Sequence, residues 1–250
     1  MSLDRRNWMA GLGASVSALA LSGCDKLATN PDVVTALSSA EGLNRRVQRL
    51  IGKGALVREY ARADITPNFK ANGSIDPPDA DYRAMAAQGF ADWKLVVDGL
   101  VERPLALGLA ELRALPARTQ ITRHDCVEGW SCIGEWTGAK MSALMDMAGL
   151  RPEAKHLVLH CADTLGGAKY YETLDLVDLR HPQTILAYAM NGTPLTVPHG
   201  APLRLRAEHY LGYKQAKYVM RLEAVDSFAH IAGGKGGYWE DRGYERYAGI

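Results

Sequence analysis

The 250-residue sequence predicts an α+β protein, with mixed, largely antiparallel sheets and short helices. Three observations carry this. Residues 93–98 set Trp93, Leu95 and Val97 against Lys94, Val96 and Asp98, and residues 218–226 alternate again, which is the period of a strand. Residues 184–190 read as a strand running into Asn191-Gly192, a pair that favours positive φ at both centres of a tight turn. Helical stretches at 109–115 and 142–150 are short, and short helices interspersed with strands belong to this class.

Taken in order, residues 1–24 read as an export signal. Arg5-Arg6 precede a weakly apolar run that is too short to span a bilayer, for which about 20 residues are needed. Arg5-Arg6-Asn7-Trp8-Met9 resembles a twin-arginine signal, and Leu21-Ser22-Gly23-Cys24 resembles a bacterial lipobox. In that reading Cys24 becomes the lipidated first residue, anchoring a periplasmic protein to the inner membrane. Residues 25–63 read as a polar tether to about Ser39, followed by a helix over 43–60 carrying Leu43, Val47, Leu50 and Ile51 on one face. Residues 64–81, with Pro67, Gly73, Pro77 and Pro78, read as an ordered loop. A strand is expected over 156–161, and a helical turn over 174–180 that stops before Pro182. Residues 64–228 make the main domain. The Gly- and aromatic-rich end, 229–250, reads as an arm packing Tyr and Trp on its surface.

Bulk properties exclude some functions. Formal net charge is +1 and there is no Lys/Arg block, so neither nucleic acid nor an anionic membrane is indicated. The cysteines are Cys24, Cys126, Cys132 and Cys161. If Cys24 carries lipid, an odd count remains and one thiol lacks a partner. No C-x-x-C or Cys/His cluster suggests zinc, c-type haem or an iron–sulfur centre.

Two stretches carry chemistry. The first is Arg123-His124-Asp125-Cys126-Val127-Glu128-Gly129-Trp130-Ser131, followed by Trp136-Thr137-Gly138. A thiolate there suits a soft metal. The competing readings are a small buried hydrophobe or a disulfide to Cys132. The second is Pro198-His199-Gly200-Ala201-Pro202-Leu203-Arg204 with Gly212-Tyr213-Lys214-Gln215-Ala216-Lys217. Its imidazole, guanidinium and ammonium groups can hold a phosphate and the polar edge of a heterocycle.

The order of these stretches resembles the sulfite-oxidase-like molybdopterin oxidoreductases, closest to the branch of the periplasmic methionine sulfoxide reductase catalytic subunit. The resemblance covers roughly 64–227. It implies a sulfite-oxidase-type fold, a molybdenum–molybdopterin cofactor, and Cys126 as metal ligand. It also implies cofactor contacts from Asn72, His199, Arg204, Gly212, Tyr213, Lys214 and Lys217. His199 stands where that branch has Asn. Asn72 also reads as a turn residue before Gly73. Cys161, Asp163 and Thr164 remain unseparated as a further contact.

Glu128 is the candidate catalytic proton donor or acceptor, tuned by burial, with a satisfied loop carboxylate as the alternative. Val127-Glu128-Gly129-Trp130 replaces the basic cluster that attracts sulfite, which favours a neutral S-oxide or N-oxide undergoing two-electron oxygen-atom transfer. With no haem motif, the electron partner is a separate membrane cytochrome b or soluble cytochrome c. The alternatives are a sulfite-oxidase-like dehydrogenase and a non-catalytic ligand-binding lipoprotein of the same fold.

Overall fold

The computed structural model describes residues 29–52, 55–247 and 249. The signal, the lipobox and Cys24 lie outside the described residues. The chain divides into two compact units, residues 1–55 and 56–250.

Within the first unit, helix α1 spans Pro31–Gly52. It starts inside the expected tether and stops well before residue 60, so both expected bounds are corrected. The cause is local: the Asn30 Oδ1 accepts the Asp32 amide at 2.9 Å, and Pro31 already has a helical φ at the first position. No helix among the described residues is long and apolar enough to cross a membrane.

The second unit is built on two five-stranded sheets. The first contains β1 (Leu95–Gly99), β2 (Leu105–Leu107), β5 (His156–Leu165), β6 (Ala168–Asp175) and β10 (Val219–Val225). Its order is β2-β1-β10-β5-β6, with only β1 and β10 parallel. The second contains β3 (Ala117–Asp125), β4 (Ser131–Lys140), β7 (Ile185–Met190), β8 (Thr193–Pro194) and β9 (Arg204–Arg206), all antiparallel. A short helix, α2 (Ala80–Ala87), precedes β1, and three more lie between strands: α3 (Leu109–Ala114), α4 (Met141–Ala148) and α5 (Leu176–Leu179). The α+β class with largely antiparallel sheets is therefore the architecture.

Alternation places Leu95, Val97, Leu157, Leu159 and Leu222 in one core, where Met141, Leu144, Met145 and Ala148 present a helical stripe of α4. Each buried Leu, Val or Met among them contributes about 1.5–3 kcal/mol by burial. Strand β5 outruns its expected end at residue 161 because a register shift between His160 and Thr164 carries it on. Helix α2 begins at the end of the expected loop, capped by Asp79, whose carboxylate accepts the Tyr82 amide at 2.9 Å.

Strand β3 carries no apolar alternation. Its inward residues are Gln120, Thr122 and His124, all 1 % exposed or less. A strand that buries polar groups has no apolar period to read.

Candidate active site

Strands β3 and β4 form a hairpin whose last pair is Asp125 and Ser131. Cys126 opens the connection. Its amide donates to the Trp130 carbonyl at 2.9 Å, and the Gly129 amide donates back to the Cys126 carbonyl at 3.0 Å. Gly129 sits at φ 85°, which a side chain would strain. Cys126 is half-buried with a free thiol. Cys132 is also free and buried on β4, opposite His124, and Cys161 is free in the main core. The disulfide reading is therefore overturned. Burial pushes the Cys126 thiol up, so it needs a cationic partner to hold it as thiolate.

Cys126 lines a cleft that is partly open to solvent. The expected residues Asn72, Glu128, Gly212, Tyr213 and Lys217 line it too, as does Asp163 of the trio with Cys161 and Thr164. Ser74, Gln215, Tyr170 and Trp239 join them without having been anticipated. Gln215 stood inside the quoted Gly212–Lys217 run, whereas Ser74, Tyr170 and Trp239 carried no signal beyond their type.

Glu128 is a loop carboxylate, not a buried one. Its side chain is 58 % exposed, accepts from Trp130 Nε1 at 2.8 Å and lies 3.8 Å from Lys70 Nζ. Tuning by burial is thus corrected, although the side chain does face the cleft. Asn72 holds the expected turn position and also lines the cleft. It precedes Gly73 at φ 61°, while its amide donates to the Gly212 carbonyl at 3.4 Å and its Oδ1 is buried without a partner.

Four buried cations near this region divide into two classes. Arg206 is paired: its guanidinium donates to Glu208 and, at 2.9 Å, to His124 Nδ1. Lys214 is paired with Glu172 and Glu240, and all three side chains are 1 % exposed or less. Arg204 and Lys217 instead meet backbone carbonyls. Arg204 is fully buried on β9 and donates to the carbonyls of His199 at 3.0 Å and Gln215 at 3.5 Å, with Nε unpartnered. Lys217 Nζ donates to the carbonyls of Pro198, at 2.9 Å, and Ser74.

Burial and a neighbouring guanidinium act on both. Arg204 is pushed down by burial and by Arg206, and Lys217 is pushed down to about 7 by burial and by Arg204. Arg204 also lies 4.8 Å over the Trp136 ring and Lys217 5.0 Å over the Tyr218 ring, and two buried cations with no carboxylate in salt-bridge contact among the described residues form a site that favours an anion. Lys214 does not belong to it, which corrects its expected place at the phosphate. The 3₁₀ turn Gly212–Lys214 aims Lys214 into the core, while Lys217 returns to the cleft.

The surroundings fit a phosphate-bearing heterocycle. Buried polar atoms without partners include Asn72 Oδ1, Ser74 Oγ, His199 Nδ1 and Arg204 Nε. Such atoms cost about 1–3 kcal/mol each unless a bound group satisfies them. Two glycines make the space. A Cβ on Gly200, at φ 101°, would meet Lys217 Cγ at 2.9 Å, and one on Gly212 would meet His124 Nε2 at 2.6 Å.

The Lys217 shift has a testable sign. Its folded pKa lies below the unfolded value, so the free site carries a cost below about 7 that fades as pH rises towards the ordinary lysine range. A bound phosphate restores the proton. Inorganic phosphate binding to cofactor-free protein should therefore weaken as pH rises above about 7, by up to about tenfold per unit, with proton uptake visible in calorimetry.

Comparison with known proteins agrees with this geometry. Residues 83–230 match the oxidoreductase molybdopterin-binding domain family. YedZ1 of Azospira oryzae, named as a protein-methionine-sulfoxide reductase subunit, is 36 % identical over 92 % of this chain and 81 % of its own length. The oxidoreductase YuiH of Bacillus subtilis is 32 % identical over 63 % of this chain and 74 % of its own. The protein-methionine-sulfoxide reductase catalytic subunit MsrP of Xanthomonas campestris is 28 % identical over 92 % of this chain and 72 % of its own. With the half-buried free thiol of Cys126 and the buried ammonium of Lys217 on one cleft, the chain belongs to the molybdopterin-binding oxidoreductase family.

Proposed function

We propose that this oxidoreductase reduces an S-oxide, with methionine S-oxides as the first class to test, using electrons from a separate cytochrome. The observation that carries the reading is the half-buried thiol of Cys126 in the same cleft as Lys217. The molybdenum–molybdopterin cofactor supplies two-electron oxygen-atom transfer when bound, and the chain supplies position and charge. Cys126 is the metal ligand. Arg204 and Lys217 take the phosphate, and Asn72, His199, Gly212 and Tyr213 contact the pterin portion. Gln215 and Ser74 add polar edges that the sequence reading passed over.

Glu128 stands at the mouth, where it moves protons between solvent and substrate. An S-oxide accepting two electrons and two protons gives a sulfide and water, so a proton route is required. A carboxylate there also disfavours the sulfite anion, though Lys70 beside it offsets part of the repulsion. Two relatives named for methionine-sulfoxide reduction support this choice of substrate.

The electron partner is a membrane cytochrome b or a soluble cytochrome c. Export to the periplasm on a twin-arginine signal, with a lipid on Cys24, would keep the enzyme near a membrane partner. Purified holoenzyme should turn over methionine S-oxide with reduced viologen and be slow on sulfite with an artificial acceptor. Faster sulfite oxidation would assign it as a dehydrogenase, and no turnover of either class would favour a binding lipoprotein. Replacing both Arg5 and Arg6 by Lys should leave folded precursor in the cytoplasm, since a twin-arginine receptor reads the guanidinium pair.

A further inference from the structure

The family match ends at residue 230, yet the chain continues into the cleft. Trp239 lines the same space as Cys126 and Lys217 and is half-buried. Its neighbour Tyr238 is 5 % exposed, stacks on Tyr170 at 5.4 Å between ring centroids, and donates to the Leu165 carbonyl at 2.8 Å. On its other side, Tyr244 packs on Trp239 at 5.0 Å and on Tyr213 at 5.2 Å.

The next residue, Glu240, fixes the arm from beneath. With Glu172 of β6 it holds the buried ammonium of Lys214, in the middle of the loop that lines the cleft from Gly212 to Lys217. Gly237 lets the arm come this close, because a Cβ there would lie 2.0 Å from Glu240 Oε2. Surface packing would not need a buried ion triad. A triad that joins the arm to the cofactor loop makes the two move as one body.

We propose that the C-terminal arm is a wall of the cofactor cleft, and that Trp239 is a cofactor-retaining residue set in place by the Glu172–Lys214–Glu240 triad. The indole covers apolar surface of the flat occupant and keeps water from the polar edge held opposite. This rests on the reading that Arg204 and Lys217 bind the pterin phosphate.

The test compares Trp239→Ala, Trp239→Phe and Lys217→Ala as holoenzymes purified from molybdate-replete cells. Pterin per chain, pterin release rate, the paramagnetic molybdenum spectrum and the thermal midpoint of cofactor-free protein are measured. Trp239→Ala should release pterin several-fold faster with the apo midpoint little changed, and Trp239→Phe should recover most of the loss. Trp239→Ala with wild-type retention and an unchanged spectrum, beside a depleted Lys217→Ala, overturns the role of the arm alone. Wild-type retention in Lys217→Ala overturns the phosphate reading on which it rests. Should Trp239→Ala fold poorly, Trp239→Leu, which keeps an apolar side chain, is judged by the same criteria.

Discussion

Cys126→Ser should abolish turnover and the paramagnetic molybdenum signal while leaving the fold in place. The side chains are nearly isosteric, and the hairpin that carries residue 126 is closed by backbone hydrogen bonds that neither side chain makes. What changes is the donor. A serine hydroxyl is hard and stays protonated where a thiol bound to a soft metal ionises. Cys132→Ser is the control, because Cys132 is buried on β4 beyond the cleft and its loss should cost only stability. The check is electron paramagnetic resonance and steady-state rate on both variants, with circular dichroism for the fold. Full activity in Cys126→Ser would remove this residue from the metal.

The second large effect separates two lysines three positions apart in the chain. Lys214→Met leaves Glu172 and Glu240 buried with no cation, and breaking a buried pair in this way costs about 3–5 kcal/mol. Burial and the neighbouring Glu240 already push Glu172 up, with Lys214 opposing them. Without Lys214 the folded pKa rises further above the unfolded one. The native state then binds more protons than the unfolded state, so the loss of stability should deepen as pH rises from about 5 to 8. Lys217→Met removes a buried cation that carbonyls and the Tyr218 ring hold without a carboxylate in salt-bridge contact, and it should leave the cofactor-free fold no less stable. It should still lose pterin, because a charged hydrogen bond worth about 1.5–3 kcal/mol is gone. Thermal melts across pH with pterin content distinguish the two, and equal melting of both variants would contradict the division of cations.

These two lysines also show how far the sequence could be read. Cys126, Gly212 and Lys217 could be singled out because each belongs to a short run whose residue types suit the chemistry, and the three share the cleft, whereas Arg204 is fully buried outside its lining. Lys214 belongs to the same run, and nothing local reveals that it turns inward. Its partners lie 42 and 26 residues away, so only the fold brings them together. Strand β3 was hidden because its buried face is polar, and that face presents His124 to Arg206 beneath the cleft. Burial of Glu128 was expected from an indole-rich loop, but Trp130 donates to the carboxylate from a solvent-facing hairpin end and leaves it exposed. Helix α4 and strands β1, β7 and β10 were read correctly in place, since their apolar periods answer to the core and nothing else. The arm looked like surface decoration because glycine and aromatic residues suit either an exposed strap or a tight packing site, and Glu240 gave no sign of its distant lysine.

On the proposed reading this cleft holds a molybdenum–pterin cofactor in the resting protein. Molybdenum by mass spectrometry and pterin by fluorescence after acid release, on protein from molybdate-replete cells, test it most directly. Stoichiometric amounts of each, both depleted in Lys217→Ala, are the predicted result. A folded protein that carries neither would contradict the account.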